Sequence, residues 1–384
     1  MMHKYLSIGG LLVAGAAALA ISSPSMAADP IKMGAVLTAT GNAGIMGDPQ
    51  DKTLRMYVDK INASGGVLGR KIELTIYDDG SNAEKANSFG KRLIEQDQVD
   101  IIVGVSSTGS TMAIVPLAER AKVPMISYAG ASVVVEPVKP YVFKLPHSDR
   151  MAVKKVLEDM KRRGMTKLGL LSDTGGFGKS ARAETLAAVK PYGVEVVSDQ
   201  SYGDKDTDMT PQLTKVKGTD AQAILVLGTG AAPAIIAKNY QQLGIKIPLY
   251  MSHAQATMDF VRLAGKAADG IRMTAAALTI AHDLPNGDPQ KAVALNYQKE
   301  FEAAYKTDVS PFGGYAYDGL MMAVDAIKRA GGTDREKLRA ALENTKNFAG
   351  VGGVFTMSAS DHLGLDLTAL HMVEIKDGRF KEFK

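Results

Sequence analysis

DIIVGVSSTGSTMAIVPLAERAKVPMISYA, residues 100–129, is the stretch that decides the fold. A β-branched run at 100–105 gives way to a loop of glycine and small hydroxyl residues, then to a helix, then to a second apolar run at 123–129. Strand, helix and strand in that order form a right-handed crossover that pairs its strands in parallel. The alternation continues in both directions. Upstream, IKMGAVLT at 31–38 and KIELTIYDD at 71–79 read as strands, and between them Leu54, Val58 and Ile61 share one helical face at i, i+4 and i+7. Downstream, strands are expected at 167–173, 193–202, 221–228, 247–252 and 271–277, nearly all separated by helical patterns. Such a series predicts a doubly wound α/β architecture with mostly parallel sheets covered on both faces.

Two sheets fit better than one, because Lys144-Leu145-Pro146-His147 stands where one series has ended and another begins, and 384 residues suit about two domains. The later chain turns helical. Residues 288–306 set Val293, Tyr297, Phe301 and Tyr305 on one stripe, and 314–330 do so with Leu320, Val324 and Ile327. Thr333 and Glu336 form a capping box for a third helix carrying Leu338 and Leu342. A closing hairpin turns at Lys376-Asp377-Gly378. No solenoid repeat or low-complexity linker interrupts the chain.

The first 27 residues read as a secretory leader: Lys4, an uncharged apolar run from Leu6 to Ile21, then Ser25-Met26-Ala27, so that the mature chain begins at Ala28. An apolar run of roughly 16 residues is too short to span a bilayer comfortably. The expectation is a freely diffusing periplasmic protein without a membrane anchor, monomeric by default. The absence of cysteine excludes a thiol-linked lipid anchor, disulfides and thiol chemistry. Once Lys4 leaves, 44 basic residues face 41 acidic ones, too even a balance to suggest nucleic acid. Lys161-Arg162-Arg163 reads as a helix end.

In open parallel sheets, ligands sit beyond the carboxyl ends of the strands. There Ser106-Ser107-Thr108-Gly109-Ser110-Thr111 opens a helix and suits a carboxylate; the alternative is a cap that satisfies only its own helix. Asp173-Thr174-Gly175-Gly176-Phe177-Gly178-Lys179-Ser180 approaches a phosphate loop but has Asp173 where the first glycine belongs. Gly228-Thr229-Gly230 starts a dinucleotide fingerprint that Pro233 breaks. No cofactor is expected. His147, His253, His282, His362 and His371 show no metal-ligand spacing, Gly104 to Thr108 lacks the second glycine of a nucleophile elbow, and no triad assembles. Asp78-Asp79 reads as a cap for the next helix rather than an acid and base pair. An enzyme is therefore not expected.

Together GAVLTATGNAGIMGDPQ, NASGGVLGRKIELTIYDDGSN, GVSSTGST with PLAERAKVPMISYAGAS, LLSDTGGFGKS and FGGYAYDGL resemble periplasmic solute-binding proteins of the branched-chain amino acid type, the capture subunits of ABC importers, aromatic-acid binders among them. The resemblance covers essentially the whole mature chain. It implies a type I periplasmic binding fold, two Rossmann-like lobes joined by three crossings near 145, 279 and 356, and a permease with its ATPase subunits as partner. The lobes would be 28–145 with 280–356, and 146–279 with 357–384. An extracytoplasmic sensing domain shares this fold and is the weaker alternative.

Carried over by position, the resemblance implies that Ser107, Thr108 and the loop Tyr128-Ala129-Gly130-Ala131-Ser132 hold a ligand carboxylate. Ala131 replaces a frequent threonine, so one hydroxyl depends on Ser132. Met46, Phe177, Gly230 and Phe312 would line the side-chain pocket with Tyr315 and Tyr317 nearby. Where amino-acid binders commonly offer an acid to the ligand ammonium, this chain has Ser252-His253-Ala254-Gln255, with no acid before Asp259. An unpaired buried ammonium costs several kcal/mol. The preferred ligand is thus an amine-free aromatic acid such as a benzoate or hydroxybenzoate, held between Phe177 and Phe312 with His253 at a distal hydroxyl; an aliphatic amino acid is the alternative.

Overall fold

The computed structural model describes residues 1–2, 29–203 and 205–383. Beyond its first two positions, the leader read in 1–27 lies outside them. Among the described residues, no helix is long and apolar enough to cross a membrane.

The chain first lays down β1 (Ile31–Leu37), α1 (Gly44–Ala63), β2 (Ile72–Asp78), α2 (Ala83–Glu95), β3 (Ile101–Val105), α3 (Thr108–Ala121), β4 (Met125–Ser127) and β5 (Val142–Lys144). These strands form one parallel sheet in the order β2-β1-β3-β4-β5. Next come α4 (Asp149–Arg162), β6 (Lys167–Asp173), α5 (Gly176–Ala188), β7 (Glu195–Tyr202), α6 (Thr210–Lys217), β8 (Ala223–Leu227), α7 (Ala232–Gln242), β9 (Leu249–Met251), α8 (Met258–Ala264) and β10 (Arg272–Ala275). Helices α9 (Pro289–Tyr305), α10 (Pro311–Ala330) and α11 (Arg335–Glu343) follow, then β11 (Phe348–Ala349), β12 (Val354–Phe355), β13 (His371–Lys376) and β14 (Arg379–Glu382). The second sheet runs β14-β13-β10-β9-β8-β6-β7 and is parallel except where β13 and β14 join it. This is the two-lobed α/β architecture that the alternation predicts.

Strands β3 and β8 are buried along their whole length, as parallel strands covered on both faces must be. The stripe on α9 buries Tyr297 and Phe301, and α10 adds Leu320, Met322 and Ile327 to the core under the first sheet. Thr53 on α1 meets the Tyr297 hydroxyl at 2.8 Å. Helix α4 ends at Arg162, and Arg163 pairs with Asp159 one turn back, so the basic triplet closes a helix.

Three expectations need correction. The cap of α11 is Asp334, which accepts from the Lys337 amide at 2.9 Å; Thr333 lies outside, and the Glu336 carboxylate is drawn to Tyr141, Lys122 and Arg339. Strand β5 and the β11–β12 pair were not anticipated, because two or three residues display no period. The segment after 356 also stays with the first sheet. His362 accepts from the Lys144 amide at 3.1 Å through its carbonyl and meets the Val142 carbonyl through Nδ1 at 2.8 Å, covering the free edge of β5. Leu363 and Leu370 are buried in the same core as β3 and β4. The chain reaches the second sheet at β13, so the passage placed at 356 moves to about 370.

Candidate functional site

In each sheet the strand order reverses beside the first strand laid down: β1 is flanked by β2 and β3, and β6 by β7 and β8. Loops leaving the two strands at such a point diverge and open a crevice. The loops after β1, β3, β6 and β8 line one common cleft of about 370 Å³, joined by the loops after β2 and β4, the turn after β9 and the start of α10. The N-termini of α3, α5, α7 and α10 converge there, and the lining holds no lysine or arginine and one acid, Asp173.

Hydroxyls and carboxylates knit the first-lobe side. Ser106 Oγ accepts from the Thr38 amide at 2.9 Å. Buried Asp79 accepts from Ser110 Oγ at 2.7 Å, Thr38 Oγ1 at 3.2 Å and the Ser81 amide at 2.9 Å; burial pushes its carboxyl up despite these bonds. Asp78 accepts from the Ala39, Thr40 and Gly80 amides. The pair thus ties loops together, while Asn82 caps α2, which corrects the capping expectation. Ser107 caps α3, accepting from the Ser110 amide at 3.1 Å and donating to Ser110 Oγ at 2.9 Å, so its hydroxyl serves its own helix. Thr108 differs. Its Oγ1 is buried in the cleft lining and has no partner among the described residues.

The loop after β4 brings Tyr128 and Gly130 to the cleft but leaves Ala129, Ala131 and Ser132 off its lining. Ala129 spends its amide on Ser127 Oγ, and Ala131 is buried. Ser132 cannot replace a missing threonine: its hydroxyl donates to Glu184 at 2.8 Å and its amide to Asp149 at 2.9 Å. Tyr317 also turns away, packing on Tyr57 and Tyr297 at ring distances of 4.8 and 5.2 Å. Met46, Ser107, Thr108, Phe177, Gly230, His253, Phe312 and Tyr315 do meet in the cleft.

From the second lobe, Asp173 Oδ1 accepts from the Gly175 and Gly178 amides at 2.8 and 3.2 Å, and Oδ2 from the Thr229 amide at 3.1 Å. A side-chain anion therefore occupies the N-terminus of α5 where a phosphate loop would hold its ligand. Asp173 still lines the cleft, as do Tyr202, Thr229 and Asn42; the sequence reading noted Asp173 and Thr229 only within loop motifs and named none of the four as ligand-binding. Asp173 is an acid within the cleft, whereas Asp259 is absent from its lining and pairs with Arg262. The available signal was Asp173's place at the end of a strand beside the reversal point.

Gly230 has φ +71°, and a Cβ there would stand 2.8 Å from the Asn42 carbonyl oxygen of the opposite lobe. A Cβ on Gly176 would stand 3.0 Å from the Gly109 amide nitrogen. The lobes touch at both points, so Gly230 is a contact site between lobes as well as pocket lining. His253, on the turn after β9, meets Phe177 edge-on at 5.6 Å and 72°. Ser252 Oγ and Gln255 Nε2 anchor that turn to the Gly228 carbonyl at 2.7 and 3.2 Å. Burial, with the Lys144 charge adding to it, brings His253 down to about 3, and burial brings Lys144 itself to about 7. His253 is thus neutral at ordinary pH. Among the described residues, no group of three histidine, aspartate or glutamate side chains is placed to hold a metal ion.

A model of the periplasmic binding protein family matches residues 30–379. The chain belongs to this family. This periplasmic binding protein is 25% identical over 339 residues to the leucine-, isoleucine-, valine-, threonine- and alanine-binding protein of Pseudomonas aeruginosa, covering 86% of this chain and 87% of that one. An extracellular ligand-binding receptor from Rhodopseudomonas palustris HaA2 superimposes with a TM-score of 0.86 at 25% identity, covering 92% and 99% of the two chains. A solute-binding protein of an ABC transporter from Rhodopseudomonas palustris BisB5, in complex with 3,4-dihydroxybenzoic acid, superimposes with a TM-score of 0.80 at 22% identity, covering 92% and 95%. Members of the family are solute-binding proteins, not enzymes.

Proposed function

We propose that this periplasmic binding protein captures an aromatic carboxylate, a benzoate or hydroxybenzoate, and delivers it to an ABC permease. The observation that carries this reading is Thr108 Oγ1, a buried hydroxyl without a partner among the described residues at the start of α3, in a cleft that Phe177, Phe312 and Tyr315 also line. A charge-assisted bond there is worth roughly 1.5–3 kcal/mol, and edge or offset ring packing roughly 0.5–1.5 kcal/mol per pair. The acid in the lining, Asp173, already accepts three backbone amides, so pairing an ammonium with it would disturb the start of α5. The BisB5 protein supports the reading as a fold neighbour in complex with an aromatic acid.

The second reading is an aliphatic amino acid whose ammonium sits against Asp173. It is favoured by the position of Asp173 in the cleft and by the name of the Pseudomonas relative. In either case the ligand would dock on the first lobe, and the second would close by bending at the passages near 145, 279 and 370. The leader would deliver the protein to the periplasm. Calorimetric titration with benzoate, 4-hydroxybenzoate, leucine and valine separates the readings. Micromolar binding of the aromatic acids and silence from leucine and valine is expected; the reverse pattern gives the site to amino acids.

A further inference from the structure

Lys144, the last residue of β5, is 0% exposed, a rare state for a lysine. A buried ammonium is costly unless a carboxylate pairs with it. Yet among the described residues no carboxylate forms an ion pair with Lys144, and its Nζ makes one hydrogen bond, to the Pro146 carbonyl. The acids that face it stand farther off and are engaged elsewhere. Asp149 at the start of α4 accepts from the Ser132 and Arg150 amides and from Ser180 Oγ, Glu136 pairs with Arg150, and Asp361 accepts from the Leu363 and Gly364 amides. Two histidines also feel its charge, His147 and His253, and burial keeps both neutral. His362 covers β5 through its carbonyl and Nδ1.

Pro146, whose carbonyl receives that bond, lines the cleft, so the ammonium lies behind the wall of a site whose own lining holds no lysine or arginine. Its charge already reaches the cleft, where it helps to keep the His253 ring neutral. A buried charge is screened little by salt and acts across such a wall. We infer that Lys144 supplies the countercharge for the bound carboxylate, attracting the ligand anion through the cleft wall and taking up a proton as the ligand binds. Burial brings the ammonium of the ligand-free protein to about 7, so near neutral pH a fraction of the molecules carry it uncharged. An anion in the cleft favours the charged form and raises that value. The same charge repels a ligand ammonium, so a net negative acid gains from it and a zwitterion gains little. Lys144 is thereby a specificity-determining residue that acts without touching the ligand.

The inference rests on the proposed function in taking the ligand to be an anion. Calorimetric titration of the whole protein with benzoate near neutral pH, in buffers of different ionisation enthalpy, counts the protons exchanged. If binding raises Lys144 by about one pH unit, about half a proton is taken up per ligand at about pH 7.5, and affinity falls up to about tenfold between about pH 6 and 9. The fall has that sign because the charged form binds better and is lost above 7. Asp318, also near 7, titrates in the same window, so the uptake should vanish in Lys144→Met and survive in Asp318→Asn. At about pH 6, Lys144→Met should weaken benzoate by the same factor of up to about tenfold, and Lys144→Gln, which can still donate to the Pro146 carbonyl, should weaken it equally. Should the lysine variants not fold, uptake in wild type that survives in Asp318→Asn still supports the inference. Benzoate binding without proton uptake, uptake lost in Asp318→Asn or kept in Lys144→Met, or full affinity in Lys144→Gln overturns the inference and leaves the proposed function standing. Failure of benzoate to bind wild type overturns the proposed function, and the inference falls with it.

Discussion

Thr108 and Ser107 are adjacent hydroxyls with opposite fates. Ser107 is held by its own helix, while Thr108 Oγ1 has no partner among the described residues and, in the proposed reading, is left for the ligand. Thr108→Val should therefore weaken every carboxylate ligand by about 1.5–3 kcal/mol, roughly ten- to a hundredfold, while leaving the unfolding temperature of the ligand-free protein unmoved. Calorimetry and thermal denaturation on the same samples check the split; a fall in stability with affinity intact would place the hydroxyl in the fold instead. Two other buried residues should write their charge into the pH dependence of stability. Burial raises Asp318 from 3.8 to about 7 although the Val351 and Gly352 amides, both at 2.8 Å, stabilise its charge. The folded state then holds a proton that the unfolded state has lost, so Asp318 makes stability fall as pH rises from about 4 to 7. Lys144 is the converse. Its depressed value of about 7 means the unfolded chain holds the extra proton from there to 10.5, and stability rises across that window. His147 and His253, both brought to about 3 chiefly by burial, add a rise between 3 and 6.5, so the test is a difference curve. Chemical denaturation of Asp318→Asn against wild type should show the fall between pH 4 and 7 removed, and Lys144→Met the rise above pH 7 removed. Each slope is at most about 1.4 kcal/mol per pH unit.

At the scale of elements, the cap of α11 is the most direct test. The Asp334 side chain accepts from the Lys337 amide, whereas Thr333 receives only a long 3.4 Å bond from Arg70. Asp334→Ala should lower stability by about 1 kcal/mol in urea titration and Thr333→Ala by clearly less; the opposite order would return the cap to Thr333. Elements with a full period were legible in the sequence: β1, β3, β6 and β8 as apolar runs, and α9 as the stripe that buries Tyr297 and Phe301. Strand β5 was not, since three residues have no period and its register is set by β4 on one side and His362 on the other. The same division runs through the cleft. Loops at strand ends were readable from topology. The fate of Ser132 was not, because Glu184, its acceptor, lies 52 residues away on α5. Asp173 escaped notice as a cleft acid for a related reason: it reaches the cleft from the end of β6, while an acid was sought in the loop after β9.

Across the whole molecule, the two lobes meet on small residues and on charge. Arg262 of α8 pairs with Asp308, just ahead of α10, at 2.5 Å, and Ser132 donates to Glu184 across the interface. The surface ion pair is worth at most about 1 kcal/mol. In the proposed hinge mechanism, closure depends on how near the backbones come, and the close approaches at Gly176 and Gly230 set that limit. At Gly230 the constraint is double, because the positive φ disfavours any side chain and the Asn42 carbonyl leaves no room for a Cβ. Gly230→Ala should strain the second-lobe loop by about 1 kcal/mol even with the lobes apart. The clash with Asn42, by contrast, arises only when they meet. Ligand-free stability should then fall slightly, whereas affinity for any ligand should drop at least about tenfold, more than loop strain alone explains. Small-angle scattering with saturating ligand separates the two effects: wild type should contract and Gly230→Ala should stay extended. Full contraction in the variant would mean that the loop yields and that the Asn42 contact does not limit closure.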